Sequence, residues 1–205
     1  MKVVLPSVKI EKMNEPVAIL KNIENAGRIC YQSTHKITQE SCYKFVGDII
    51  ARKHEAVLEH ESITWRAVVD RGILGEVTRH RIAAFCAESS RYVKYDDIEV
   101  IKPIQLQENT TEYAVWHDTC KRAGQAYKHL IEHGVSPQNA RSVLPMCLKT
   151  ELVCTMNLRE LRHFFELRCA SGAHPDMIWL AKELLKQVAV IPVVFDDIYQ
   201  KFIVT

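Results

Sequence analysis

Glycine is scarce in this chain: there are seven in 205 residues, and none falls in a G-x-x-x-x-G-K or G-x-G-x-x-G arrangement. Those loops bring backbone amides against phosphates, so a nucleotide or dinucleotide would have to be held by another device. Excess charge is also lacking. The formal net charge is +2, without the basic surplus or tail of a general nucleic-acid binder, so any anion site must be local. The seven cysteines (Cys30, Cys42, Cys86, Cys120, Cys147, Cys154 and Cys169) are odd in number and include no Cys-x-x-Cys. That argues against a disulfide framework and a zinc ribbon and for reduced thiols. No apolar run approaches the ~20 residues of a membrane span, and the opening MKVVLPSVKI is too short an apolar run for a signal peptide. Repeats, low-complexity tracts and Gly/Ser linkers are absent. The expectation is a soluble cytoplasmic protein with no membrane and no nucleic-acid partner.

With 47% hydrophobic residues the chain can bury a real core, and residues 1–205 read as a single domain. From Thr38, a candidate N-cap, Cys42, Phe45, Val46, Ile49 and Ile50 recur at helical spacing. Helices are also expected over 112–133 with Gly134 as the stop, from Ser136-Pro137 toward Pro145, over 158–168 and 177–188, and more weakly over 14–26. Strand alternation appears in 62–69 and 151–156. Few strands among long helical stretches imply an α+β fold with a central antiparallel sheet flanked by several helices.

Two constellations carry chemistry. In Arg79-His80-Arg81-Ile82-Ala83-Ala84-Phe85-Cys86-Ala87-Glu88-Ser89-Ser90-Arg91-Tyr92, three arginines and two serines lie close together. Guanidinium groups grip phosphate and carboxylate oxygens in pairs, and hydroxyls complete such a cradle. Ile82, Ala83, Ala84 and Phe85 are expected to hold the cradle against the core. A solvated charged helix end is the plainer reading. Nucleophilic serine chemistry has no support, because Ser89 and Ser90 lack a G-x-S-x-G context, and Cys86 reads as a buried structural thiol. Downstream, Arg141 precedes Leu144-Pro145, and Asn157, Arg159, His163 and Arg168 follow a strand. Arg159 and His163 share a helix face, Asn157 is placed to cap the helix or meet a ligand, and Arg168 sits where a helix dipole favours a cation.

His54 and His60 invite a zinc reading. On a helix, six residues turn ~600°, which leaves the two side chains roughly 120° apart, so they do not form a ligand pair, and no metal is expected.

The spacing Arg79-His80-Arg81, seven residues, Ser89, then Arg91-Tyr92 resembles the signature of the flavin-dependent thymidylate synthases. The resemblance continues through Arg141 with Leu144-Pro145, Asn157, Arg159 and Arg168, and covers roughly 26–191. It implies the thymidylate synthase-complementing protein fold. It also implies reductive methylation of dUMP to dTMP, with FAD as cofactor and with NADPH and methylenetetrahydrofolate as co-substrates, in a homotetramer with shared active sites. By the same resemblance His54, Ala56, Arg79, His80, Arg81, Ala87, Asn157, Arg159 and His163 match flavin-contacting positions. Glu76, Arg79, Glu88, Ser89, Ser90, Arg91, Arg141 and Arg168 match nucleotide-contacting ones, and Arg168 matches the arginine that favours ionisation of the uracil ring at N3. His60 reads as structural. Ala84, Cys86 and Ala87 depart from the polar residues common there. That leaves open another deoxypyrimidine monophosphate as substrate for methylation or hydroxymethylation, beside the rival of a non-catalytic nucleotide-binding protein.

Overall fold

A computed structural model describes all 205 residues, Met1–Thr205. In chain order the elements are β1 (Lys2–Val4), β2 (Ser7–Lys12), α1 (Pro16–Ile29), α2 (Ser41–Ala51), a 3-10 turn over Glu55–His60, β3 (Ser62–Asp70), α3 (Arg71–Val77), β4 (Ala83–Ala87), β5 (Glu99–Ile101), α4 (Thr111–Glu132), α5 (Pro137–Ala140), β6 (Lys149–Asn157), α6 (Leu158–Arg168), α7 (Pro175–Val188) and α8 (Asp196–Tyr199). No helix is long and apolar enough to cross a membrane.

The main sheet has the order β2-β3-β6-β4. β3 and β6 run antiparallel. Leu158 N–H donates to Glu61 O (3.0 Å), the Thr64 and Thr155 hydroxyls meet at 2.8 Å, and Arg71 N–H donates to Leu148 O (3.1 Å), so a step forward along one strand is a step back along the other. Ile63, Trp65, Ala67 and Val69 on β3, and Leu152, Cys154 and Met156 on β6, are the buried alternate positions that the period-2 pattern marks. A second, two-stranded sheet pairs β1 with β5 in parallel, Val3 opposite Val100. It was not expected from sequence, because three-residue strands are too short to show a period.

The chain groups into two compact units. Unit 1 is Met1–Ser7, Ala67–Arg79 and Cys86–Val153, and unit 2 is Val8–Arg66, His80–Phe85 and Cys154–Thr205. Each is assembled from separated segments, which is why no linker or composition shift marks them in the sequence. Unit 1 closes on Ile98, Val100, Cys120 and Leu148, packed by Met1, Val3 and Trp116. Unit 2 holds an aromatic chain, Trp65–Phe164–Phe165–Phe195, with successive centroids 6.1, 5.6 and 5.6 Å apart. Its helices α1 and α2 approach so closely at Gly27 that a Cβ there would meet the Phe45 ring at 2.7 Å.

Local chemistry explains most helix ends. Asn157 Oδ1 accepts the Glu160 N–H at 2.8 Å and starts α6. Glu15 does the same for α1 through the Ala18 N–H (2.8 Å), two residues later than the expected start. Thr38 is not the cap of α2: that helix begins at Ser41, whose Oγ instead takes the Thr38 N–H (2.8 Å). Ser136 occupies the N-cap position of α5 without a side-chain bond. β2, β4 and α3 also went unread in the sequence. Ala83-Ala84-Phe85-Cys86-Ala87 is small-residue chain at the edge of its sheet, with one neighbour and no strong alternation to betray it.

Candidate active site

In unit 1, the Ser90 hydroxyl is the meeting point of two arginines. Ser90 is 4% exposed. Its Oγ accepts from Arg141 Nη1 at 3.2 Å and from Arg71 Nη2 at 3.5 Å. Arg71 Nη1 also donates to Glu88 O (3.0 Å) and Thr150 Oγ1 (3.3 Å), and its backbone is tied to Leu148 at the β3–α3 junction. These partners are neutral oxygens, so they fix the two guanidinium groups without cancelling their charge. Ser89 Oγ accepts the Arg91 N–H at 3.4 Å, and Arg91 itself is exposed over the Tyr92 ring. The Glu88 carboxylate is turned the other way, accepting Tyr95 OH (2.6 Å) and Lys149 Nζ (3.4 Å). Burial first, and that carboxylate second, push the Tyr95 hydroxyl pKa well above its usual value. Arg79 and Ala87 are exposed and Glu76 is half-buried on α3.

Arg71 was not singled out in the sequence. The signal was there in weak form: an arginine directly after a buried strand, at the turn into a short helix.

In unit 2, His80 is buried between two charged groups of α6. Its Nδ1 lies 2.8 Å from Glu160 Oε1, and its Nε2 accepts from Arg168 Nε at 3.1 Å. The ring packs edge-on against Phe164, with centroids 4.9 Å apart. Burial is the main cause of a His80 pKa below the usual imidazole value; Glu160 opposes the shift, and Arg168 and His163 add to it. One ligand atom each of His80, Glu160 and His163 lie within 4.8 Å of one another. Both His80 nitrogens are already engaged, however, and the Arg168 cation beside them opposes a metal ion.

Two concavities flank α6 in the same unit. One of about 560 Å³ is lined by Asn157, Arg159, His163 and Ile82. The other, about 700 Å³, is lined by His54, Ala56, Tyr31, Phe45 and Arg52. Lys53, Glu55 and Arg159 belong to both walls. Lys53 stands in the left-handed region, with φ 61°. The Lys53 N–H bonds Ile50 O and the His54 N–H bonds Ile49 O, both at 3.0 Å, which is the Schellman end of a helix, where glycine is the default residue. The same closure at the end of α4 uses Gly134, at φ 81°. The closure at the end of α1 likewise uses a non-glycine residue, Gln32, at φ 47°.

Several expectations need correction. Ile82 is 67% exposed and Ala84 is exposed, so they do not press the arginine segment onto the core; only Ala83 and Phe85 are partly covered. Cys86 is exposed rather than buried. Ala84 and Cys86 lie on the same face of β4, because successive side chains of a strand point to opposite sides, and Ile82 precedes the strand. His60 is exposed, and the segment bearing it is a 3-10 turn for which His54 is the N-cap, so helical angles do not apply there. The Arg-His-Arg triplet is divided, with Arg79 in unit 1 and His80 and Arg81 in unit 2. Arg168 lies with His80 in unit 2, not with the Ser90 cradle of unit 1.

The model of the thymidylate synthase complementing protein family matches residues 13–193. The flavin-dependent thymidylate synthase of Geobacter sulfurreducens is 34% identical over 182 residues, 84% of this chain and 78% of the relative. That of Pyrococcus furiosus is 30% identical over 193 residues, 89% and 79% of the two chains. Among solved structures, a thymidylate synthase X of Helicobacter pylori with FAD and dUMP superposes with a TM-score of 0.75 at 25% identity, covering 94% of this chain and 98% of that one. A UMP/dUMP methylase, PolB, of Streptomyces cacaoi shares the fold, with a TM-score of 0.80 at 20% identity and 98% of each chain covered. With a family match over nearly the whole chain and relatives at 30% identity and above, this chain belongs to the flavin-dependent thymidylate synthase family.

Proposed function

We propose that the chain catalyses the reductive methylation of dUMP to dTMP, with methylenetetrahydrofolate as carbon donor, NADPH as reductant and FAD as bound cofactor. The observation that carries the reading is the docking of the half-buried Arg168 on the buried His80, which holds a permanent cation in one orientation. Arginine stays protonated while an anion develops beside it, so it can favour ionisation of uracil at N3 and stabilise the charge that reaction at C5 requires.

The nucleotide reading rests on unit 1. Arg141 and Arg71, set by Ser90, suit the phosphate, with Ser89, Arg91, Glu88, Glu76 and Arg79 as further contacts. The flavin reading rests on unit 2, where the residues suit a molecule with an apolar ring system and a diphosphate: Tyr31, Phe45 and Ile82 offer apolar surface, while Lys53, Arg52, Arg159 and His163 offer donors. By the family resemblance, His54, Ala56, Asn157, Arg81, Ala87 and Arg79 complete the proposed set. When bound, FAD supplies the hydride chemistry that no side chain provides.

A protein nucleophile has no place in this reading. Ser89 Oγ is held by a backbone amide, and burial pushes the Cys120 thiol up to about 12 and Cys154 higher still. We take the assembly to be a homotetramer with shared active sites; the outward Ile82, Ala84 and Cys86 of edge strand β4 are surface that such an assembly would cover. Incubating protein, FAD, NADPH and methylenetetrahydrofolate with dUMP or dCMP tests the proposal. Formation of dTMP from dUMP is expected; product from dCMP alone, or none from either, would overturn it.

A further inference from the structure

Arg168 does not reach its orientation alone. Arginine only donates hydrogen bonds, so the His80 Nε2 that accepts from Arg168 Nε at 3.1 Å carries a lone pair and no proton. The imidazole proton is therefore on Nδ1, donated to Glu160 Oε1 at 2.8 Å. The three groups read in one direction: carboxylate, Nδ1–H imidazole, guanidinium. Reversing the tautomer would set two N–H groups against each other at Arg168 and two acceptors against each other at Glu160.

The scaffold supports that order. Glu160 and Arg168 stand eight residues apart on α6, near its start and its end. His80 lies along the helix between them, resting on Phe164, one turn from each. Glu160 is in the first turn, where a carboxylate is favoured by the helix dipole, and its own N–H is tied to Asn157 Oδ1. Arg168 is in the last turn, where a cation is favoured. His80 is 4% exposed and Glu160 7% exposed, so water does not compete for these bonds. The other group facing the ring is His163, with centroids 5.8 Å apart.

We infer that Glu160 and His80 are positioning residues that fix the guanidinium of Arg168, Glu160 by selecting the His80 tautomer and His80 by accepting the Arg168 Nε–H. The inference rests on the role given to Arg168 above. His80 thus acts on a ligand through Arg168 rather than by its own ring nitrogens, both of which are engaged.

The test compares Glu160→Ala, Glu160→Gln and Arg168→Lys in the FAD-loaded enzyme. Glu160→Ala removes the acceptor of the Nδ1 proton; Glu160→Gln restores an oxygen acceptor without the charge. The expected result is a fall in kcat of about tenfold to a hundredfold for Glu160→Ala, the range seen when an orienting partner of a functional group is lost, with flavin content and the KM for dUMP within about twofold of the parent. Glu160→Gln recovers most of the loss. Proton–nitrogen correlation spectra of histidine-labelled protein show one Nδ1–H imidazole, assigned by its loss in His80→Gln, and Glu160→Ala moves that resonance toward the Nε2–H form. Unchanged kcat in Glu160→Ala while Arg168→Lys is impaired would overturn the relay and leave the role of Arg168 standing. Near-normal turnover in Arg168→Lys would overturn that role and the relay with it. A loss in Glu160→Ala that Glu160→Gln does not relieve, with an unmoved His80 resonance and a lowered melting temperature, would make the contact structural only.

Discussion

Two pairs of arginines, one pair in each unit, are held in different ways. In unit 1, Arg71 and Arg141 hydrogen-bond to hydroxyls and a carbonyl, Ser90 Oγ, Thr150 Oγ1 and Glu88 O. In unit 2, arginines meet carboxylates: Arg159 pairs with Glu59 (2.6 Å), and the buried Arg162 grips Asp197 through two nitrogens (2.8 and 2.7 Å) and Glu55 at 3.3 Å. Burial raises the Asp197 carboxyl, but the Arg162 fork more than offsets it and holds the pKa below the usual range. A guanidinium tied to neutral oxygens keeps its charge for an incoming anion; the buried Arg162, gripped by two carboxylates, has largely used its own, whereas the exposed Arg159–Glu59 pair is weak and can open to a ligand. In the proposed function, Arg71 and Arg141 of unit 1 receive the phosphate. Arg168 of unit 2 differs from both sets in docking its Nε on the His80 imidazole.

That contrast can be broken most sharply at the exception. Arg168→Ala should lower turnover by about 10²- to 10³-fold, the scale of removing one preorganised charge-stabilising donor, while flavin stays bound; near-normal steady-state rates would refute the assignment. In unit 1, Arg141→Ala should weaken dUMP about tenfold to a hundredfold, as losing a charge-assisted hydrogen bond of about 1.5–3 kcal/mol implies, and calorimetry reads it directly. In unit 2, Gly27→Ala should destabilise by about 1–3 kcal/mol through overpacking against Phe45, visible as a lower denaturation midpoint.

Acid should act on unit 2 in a defined direction. The folded-state pKa of His80 lies below its unfolded value of 6.5, so the neutral ring's contribution to stability is fully present above 6.5 and is lost as pH falls through the lower folded pKa. Protonation also places an N–H on Nε2 facing Arg168 Nε. Stability and turnover should therefore fall together in that window, and the stability component should disappear in His80→Gln. The smallest effect is expected at Lys53. Relief of the left-handed strain should make Lys53→Gly more stable by about 1 kcal/mol, at the expense of flavin affinity. A stabilised variant with unchanged affinity would remove Lys53 from the ligand wall.

Much of this was legible in the sequence because period and capping are local. The β3 and β6 alternation, the bounds of α6, the Asn157 cap and the Gly134 stop all follow from neighbours a few residues away. What was not legible depended on distant chain. Which face of β4 is left uncovered decides that Ala84 and Cys86 face outward, and nothing within 82–87 says what packs on either face. Arg71 joins the Ser90 cradle only because β3 and β6 pair in a register that carries it there. The division of Arg79 from His80–Arg81 between units is likewise invisible in a contiguous motif. The residues that the family resemblance marks as ligand contacts thus appear in sequence as separate motifs, and the fold regroups them between the two units.

The central proposal is that Arg141, with Arg71 and Ser90, takes the nucleotide phosphate, while Arg159 and the residues lining its two concavities take the flavin. Its most direct test is a crossed pair of measurements, the visible absorbance of bound FAD and the calorimetric affinity for dUMP, on Arg141→Ala and on Arg159→Ala. The account predicts that Arg141→Ala keeps its flavin band and loses nucleotide affinity, while Arg159→Ala loses flavin and, once saturated with FAD, binds dUMP as the parent does. If Arg141→Ala instead sheds its flavin while holding dUMP normally, the assignment of Arg141 to the nucleotide and Arg159 to the flavin is wrong.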